Sequence, residues 1–316
     1  MTWTGALSQL LQLAVAVLLA PLLLGWVNQC RAWLQNKRAP SVMLPYRMIT
    51  KLFIKEPVIA GNASPIFRLT PYIVFGAMIL AAAIVPSLAT DLPFATAADA
   101  IALVGIFALA RIFIALAAMD IGTAFGSMGA RREMLIGFLA EPALLMVFFT
   151  ASLISQSTSL VTIVETLAHR EFVIYPSLAF AGIAFTMVSL AENARVPVDN
   201  PATHLELTMI HEAMILEYSG RHLALIEWAS SLKLFNYSCL GLALFFPWGI
   251  SEGAHNLLGL LVAVPVLVGK LAIGGLLLAL IETLSAKMRI FRAPEFLGTA
   301  FLLGVLGMLV HQLLGA

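Results

Sequence analysis

The chain has 316 residues, 61% of them hydrophobic and 11% charged, with a net charge of +1. A soluble domain keeps about a quarter of its residues charged, so this composition excludes a soluble enzyme and places most of the chain against lipid or other helices. The small net charge excludes nucleic acid as a main partner, since no large basic field is present. Cys30 and Cys239, the only cysteines, form neither a Cys-x-x-Cys motif nor a disulfide framework.

A membrane-crossing helix needs about 20 largely apolar residues, and the sequence offers eight such stretches. The first, Leu7–Val27, lacks a basic leader and a small-residue cleavage site before the Cys30–Arg38 cluster, so it reads as a retained helix. The others follow at Tyr72–Thr90, Ala100–Ala118, Leu135–Leu153, Val173–Leu190, Ser231–Ile250, Leu257–Leu280 and Phe296–Leu314. Pro86, Asp91 and Pro93 mark a turn between the second and third. The expectation is an all-α fold: one integral membrane domain over residues 1–316, a polytopic bundle of about eight transmembrane helices.

Fourteen of the eighteen Lys and Arg fall in the odd-numbered gaps, about 28–71, 119–134, 192–230 and 281–295, and Arg170 alone lies in a gap on the other side. Basic residues concentrate in cytoplasmic loops. These four gaps are therefore expected to be long cytoplasmic loops of a multi-pass protein of a bacterial inner membrane, with both termini non-cytoplasmic. In the first gap, Leu44, Met48, Ile49, Leu52 and Phe53 recur at helical spacing, which predicts an amphipathic helix lying flat at the membrane surface. In the fifth, Ala202–Ser219 lacks Pro and Gly and reads as a helix, with Glu206 and Glu217 on one face and His204 and His211 roughly opposite.

Charged side chains within a span are costly and call for a partner or a job. Arg111 stands mid-way along the third span with Asp120 at its end, Glu141 lies in the fourth, and Lys270 in the seventh. Glu192 and Glu282 sit at span ends, and Glu282 and Lys287 read as interfacial anchors. Two readings stay open: fixed interhelical pairs, such as Arg111 with Glu141, or a proton or ion relay of desolvated carboxylates. The enzyme motifs fail. His211-Glu212 has Ile215 where a metalloprotease needs its second His, and Gly122, Gly126 and Gly129 lack the Lys-Ser/Thr of a phosphate loop. No catalytic, cofactor-binding or metal-ligating set is legible in this chain.

Four loop segments carry a resemblance. The first gap reads Arg38-Ala39-Pro40, Tyr46-Arg47, Lys51-Leu52, Lys55-Glu56 and Phe67-Arg68-Leu69-Thr70-Pro71. The third reads Asp120-x-Gly122-x-x-Phe125-x-x-x-Gly129-Ala130-x-Arg132-Glu133 and runs on to Glu141-Pro142. The fifth opens with Glu192-x-x-Arg195-x-Pro197-x-Asp199 and closes with Glu217-Tyr218-Ser219-Gly220. Together they resemble the complex I subunit 1 family. Within it they look most like the membrane anchor of energy-converting NiFe-hydrogenases, the branch of formate hydrogenlyase subunit 4 and hydrogenase-4 component C. The chain departs from the family pattern at Ala39 and Met48, and at Ala202 and His204, where acidic residues usually stand.

The resemblance implies a non-catalytic subunit that docks a peripheral arm and couples its electron transfer to ion translocation. Carried over by position, the coupling candidates are Glu133, Glu141, Glu192, Asp199, Glu206 and Glu217, with His204, His211, Asp120 and Lys270 added from the span and loop reading. Arg111, Arg132 and Arg195 are the charge partners. The NiFe centre and iron–sulfur clusters would belong to partner subunits: hydrogenase-like large and small subunits, iron–sulfur subunits and antiporter-like membrane subunits. A quinone site in an NADH:quinone oxidoreductase is the second reading, and a standalone secondary transporter the third.

Overall fold

The computed structural model describes residues 3–90, 93–94, 98–169, 176–199, 209–251, 257–288 and 292–314. Among them the chain is helical, with only isolated bridges joining Ala89 to Ser251 and Asp99 to Ser159. The helices are α1 (Trp3–Leu34), α2 (Leu44–Ile54), α3 (Pro65–Ile84), α4 (Ala100–Asp120), α5 (Ala124–Ser155), α6 (Leu160–His169), α7 (Pro176–Glu192), α8 (His211–Ile215), α9 (Gly220–Phe245), α10 (Leu257–Leu284) and α11 (Ala293–Leu314). Among the described residues six of them, α1, α3, α4, α5, α10 and α11, are long and apolar enough to cross a membrane by length and composition. The fifth and sixth expected spans fall on α7, described over 17 residues, and on α9, which carries Arg221, Glu227 and Lys233.

The helices begin where local chemistry dictates. Ser64 accepts a hydrogen bond from the Ile66 amide at 3.1 Å ahead of Pro65 at the first helical position, so α3 starts seven residues before the apolar run suggests. It stops at Ile84, because Pro86 disfavours helical backbone at Val85. The buried chain that follows is satisfied by two glutamines of α1. Gln12 Nε2 donates to the Ala82 and Val85 carbonyls at 3.0 Å each, and Gln9 Nε2 donates to Ala83 at 3.1 Å. Uncapped helix carbonyls in apolar surroundings need such partners.

Three loop expectations change. The gap at 119–134 is mostly helix: Thr123 caps α5, which begins at Ala124, and carries Arg131, Arg132 and Glu133 in its early turns. The first gap is shortened by α1 running on to Leu34 and by α2, whose Pro45 and Ile49 are buried while Leu44, Met48, Phe53 and Ile54 stay exposed. Of the helix expected over Ala202–Ser219, only His211–Ile215 is helical among the described residues, and α9 takes the rest of the fifth gap from Gly220. Ala202, His204 and Glu206 lie outside them. The short helix α6 has no counterpart among the expected elements.

The bundle packs as α3 on α4, α4 on α5, α5 against α7 and α11, α9 across α1 and α3, and α10 on α1.

Candidate functional site

Arg111 projects from α4 into a gap between helices, 4% exposed along its side chain. Across from it on α5 stand Glu133 and Glu141, eight residues apart and therefore on one face. Gly137 lies midway between them, and a Cβ there would collide with Arg111 Nη1. The missing side chain is what lets the guanidinium lie in the notch between the two glutamates. Nη1 donates to Glu141 at 2.6 Å, Nη2 donates to Glu192 at the end of α7, and Nε faces Glu133 at 3.7 Å, too far for a hydrogen bond. On α9, Lys233 lies 2.9 Å from the other oxygen of Glu192.

Four helices thus deliver two cations and three carboxyl groups to one point, one more acid than there are bases. Glu192 is buried, whereas the Glu141 side chain is 35% exposed on the far side of Arg111. A cavity of about 50 Å³ adjoins the cluster, lined by Arg111, Glu133, Glu192, Lys233, His211 and Ser230 among others. These polar groups point into otherwise mostly apolar walls, with room for a few waters. His211 and Glu212 of α8 lie in turn beside Glu227 of α9.

A second group sits where α1, α10 and the segment after α7 meet. Glu282, buried, receives Arg195 at 3.1 Å and Arg31 at 3.4 Å. Asp199 faces Lys287 at 3.7 Å and accepts from the His211 amide at 3.4 Å, tying this group to the cavity wall. Glu282 and Lys287, read in the sequence as interfacial anchors, are both paired with the 195–199 segment, and Glu282 is buried.

The Glu217-Tyr218-Ser219-Gly220 run acts as a clamp. Tyr218 stacks on Phe67 with centroids 4.0 Å apart, and its hydroxyl donates to the Phe67 carbonyl at 3.0 Å. Burial pushes that hydroxyl's pKa up, so it remains a donor. Ser219 Oγ accepts from the Val58 amide at 2.8 Å and donates to the Val58 carbonyl at 2.9 Å. Gly220 has φ +52° and touches the Lys55–Pro57 backbone, a place no side chain can occupy. Asp120 holds the same stretch by accepting from the Ser64 amide at 2.8 Å.

The structure therefore brings together Arg111, Glu133, Glu141, Glu192 and His211, with Arg195 and Asp199 in the adjoining group. It sets others apart. Glu217 is exposed, Asp120 serves the loop, and Arg132 donates to the Met209 carbonyl at 3.0 Å. Lys270 donates to the Phe246 carbonyl at 2.6 Å and to that of Trp248, closing the end of α9. Sequence reading missed Lys233 and Gly137. A lysine inside an apolar span was the available signal for the first, and a glycine four residues from each of two glutamates for the second.

Residues 8–312 match the NADH dehydrogenase family. The chain belongs to that family, of the complex I subunit 1 type. Among relatives of this NADH dehydrogenase family member, formate hydrogenlyase subunit 4 of Escherichia coli (strain K12) is 33% identical over 297 residues, covering 94% of this chain and 95% of the relative. Hydrogenase-4 component C of the same organism is 34% identical over 246 residues, covering 77% and 76%. A subunit of the NADH-quinone oxidoreductase of Streptomyces avermitilis is 27% identical over 263 residues, covering 73% and 56%. The fold is shared with a chain in the structure of the membrane-bound sulfane sulfur reductase, an archaeal respiratory membrane complex. The TM-score is 0.83 at 20% identity, covering 96% of this chain and 98% of that one.

Proposed function

We propose that this chain is the membrane anchor and ion-coupling subunit of a membrane-bound NiFe-hydrogenase of the formate hydrogenlyase kind. It crosses a bacterial inner membrane eight times, with α7 and α9 as the fifth and sixth spans and both termini outside the cytoplasm. The observation that carries the reading is the Arg111 cluster. Two cations against three carboxylates leave a negative charge in a poorly solvated site, and one proton or small cation relieves it.

The cavity supplies a wet approach through Glu133, Glu192 and His211. Arg111 separates that approach from Glu141, which reaches the outer face of α5. A proton that passes from the cavity to Glu141 neutralises the surplus carboxylate and lets Arg111 settle between Glu133 and Glu192; handing that proton to a neighbouring membrane subunit leaves Glu141 charged and restores its pair with Arg111. Large, small and iron–sulfur subunits dock on the cytoplasmic end, and the electron chemistry stays with them. The 33–34% identity to two hydrogenase subunits supports this branch.

Purification of the tagged full-length chain in mild detergent tests the assignment. Copurification with NiFe and iron–sulfur subunits, and hydrogen evolution by the preparation, are expected. A stable monomer that transports ions alone would contradict it. Similarity to a membrane component of NADH-quinone oxidoreductase keeps a quinone site as the second reading. A quinone-analogue photolabel on residues 36–71 would favour that reading, and an unlabelled segment would remove it.

A further inference from the structure

The first ninety residues hold seven Lys and Arg and a single acid, Glu56. Three of the bases, Arg47 and Lys51 in α2 and Lys55 at its C-cap, are spaced four apart and so form one line down the helix. The line is about 12 Å long at 1.5 Å per residue. All three residues are exposed, and none of their charged ends has an ionic or hydrogen-bonded partner among the described residues. Like charges four apart repel and weaken a helix, so the line is unfavourable unless anions from outside the chain cover it.

The rest of α2 selects the anion. Its opposite face is packed, with Pro45 and Ile49 buried and Phe53 edge-on to Trp228 of α9 at 6.2 Å. Between that face and the basic line run Leu44 and Met48, both exposed. Around the helix the order is protein, apolar, basic, the order from acyl chain to phosphate for a helix lying in a membrane interface. The depth agrees. Gly25 of α1 lies against the Val42 backbone, where a Cβ would collide. Next along α1, Trp26 meets Trp33 edge to face at 5.7 Å, and Trp33 is half exposed. Tryptophans gather at the membrane–water boundary, so the chain enters α2 at headgroup level. We infer that the line of Arg47, Lys51 and Lys55 binds anionic phospholipid headgroups, with Leu44 and Met48 set against the acyl chains. The site depends on the chain lying in a membrane, not on which oxidoreductase it serves.

The test uses the full-length chain with whatever subunits accompany it. Delipidated and offered vesicles of phosphatidylglycerol or of phosphatidylcholine, it should retain the first preferentially by native mass spectrometry, and less so as salt rises. A cation near the membrane surface contributes about a fivefold factor. Neutralising all three, Arg47→Gln with Lys51→Gln and Lys55→Gln, should therefore lower phosphatidylglycerol retention about a hundredfold, while Arg47→Lys keeps it. The three side chains are exposed, so the triple variant should assemble with an unchanged Tm. Arg131→Gln, which removes an exposed base from α5, should change nothing. Met48→benzoylphenylalanine should photo-cross-link to phospholipid. Unchanged retention in the triple variant, or an equal loss in Arg131→Gln, would overturn the site. So would displacement of the lipid by inorganic phosphate alone, or a cross-link from position 48 to a protein chain instead of a lipid.

Discussion

The two buried charge groups are built from the same kinds of side chain in opposite proportion. Around Glu282 a carboxylate is held by two arginines, Arg195 at 3.1 Å and Arg31 at 3.4 Å, from separate parts of the chain. Such an arrangement clasps α1, α10 and the segment after α7. Around Arg111 the ratio inverts: three carboxylates crowd one guanidinium, with Lys233 sharing only Glu192. Burial alone therefore does not mark function. The balance of charge, and the cavity lined by Arg111, Glu133 and Glu192, set the Arg111 cluster apart from the Glu282 clasp.

Substitutions should widen or erase that contrast. Arg111→Met strips the counterion from three carboxylates and should cost about 3–5 kcal/mol, seen as loss of the chain from the membrane fraction. Gly137→Ala pushes a methyl into the guanidinium and should cost about 3 kcal/mol, read as a lowered Tm in detergent. Glu282→Gln leaves an acceptor for one arginine only and should cost about 2 kcal/mol, with turnover per assembled complex unchanged. Tyr218→Phe deletes one hydrogen bond from the clamp and should cost about 1 kcal/mol. Its pH signature is specific. A tyrosine pKa raised by folding contributes stability that is complete below the unfolded value of about 10 and fades as pH rises toward the folded one. The wild-type advantage over Tyr218→Phe should therefore be flat through neutral pH and shrink in strong alkali.

Much of this was legible in the sequence because bilayer physics is coarse. All eight apolar stretches fall on helices, α2 appears where its periodicity placed it, and Arg111 meets Glu141. What escaped depends on short-range chemistry that hydropathy averages away. Ser64 with Pro65 starts α3 early, and Thr123 turns an expected loop into the first turns of α5. Lys233 is absorbed into an apolar window, although its charge pairs with Glu192. The roles of Glu217 and Asp120 escaped because a motif marks what must be kept, not why. Tyr218, Ser219 and Gly220 hold the loop before α3, while Glu217 faces outward.

The central claim is that the surplus carboxylate at Arg111 exchanges a proton and the satisfied one at Glu282 does not. The direct measurement compares Glu141→Gln with Glu282→Gln in the assembled complex, following hydrogen turnover and proton movement in sealed vesicles. The account predicts that Glu141→Gln assembles normally yet loses proton movement or turnover, whereas Glu282→Gln keeps both in proportion to the protein that assembles. Wild-type turnover and proton movement in Glu141→Gln would contradict it.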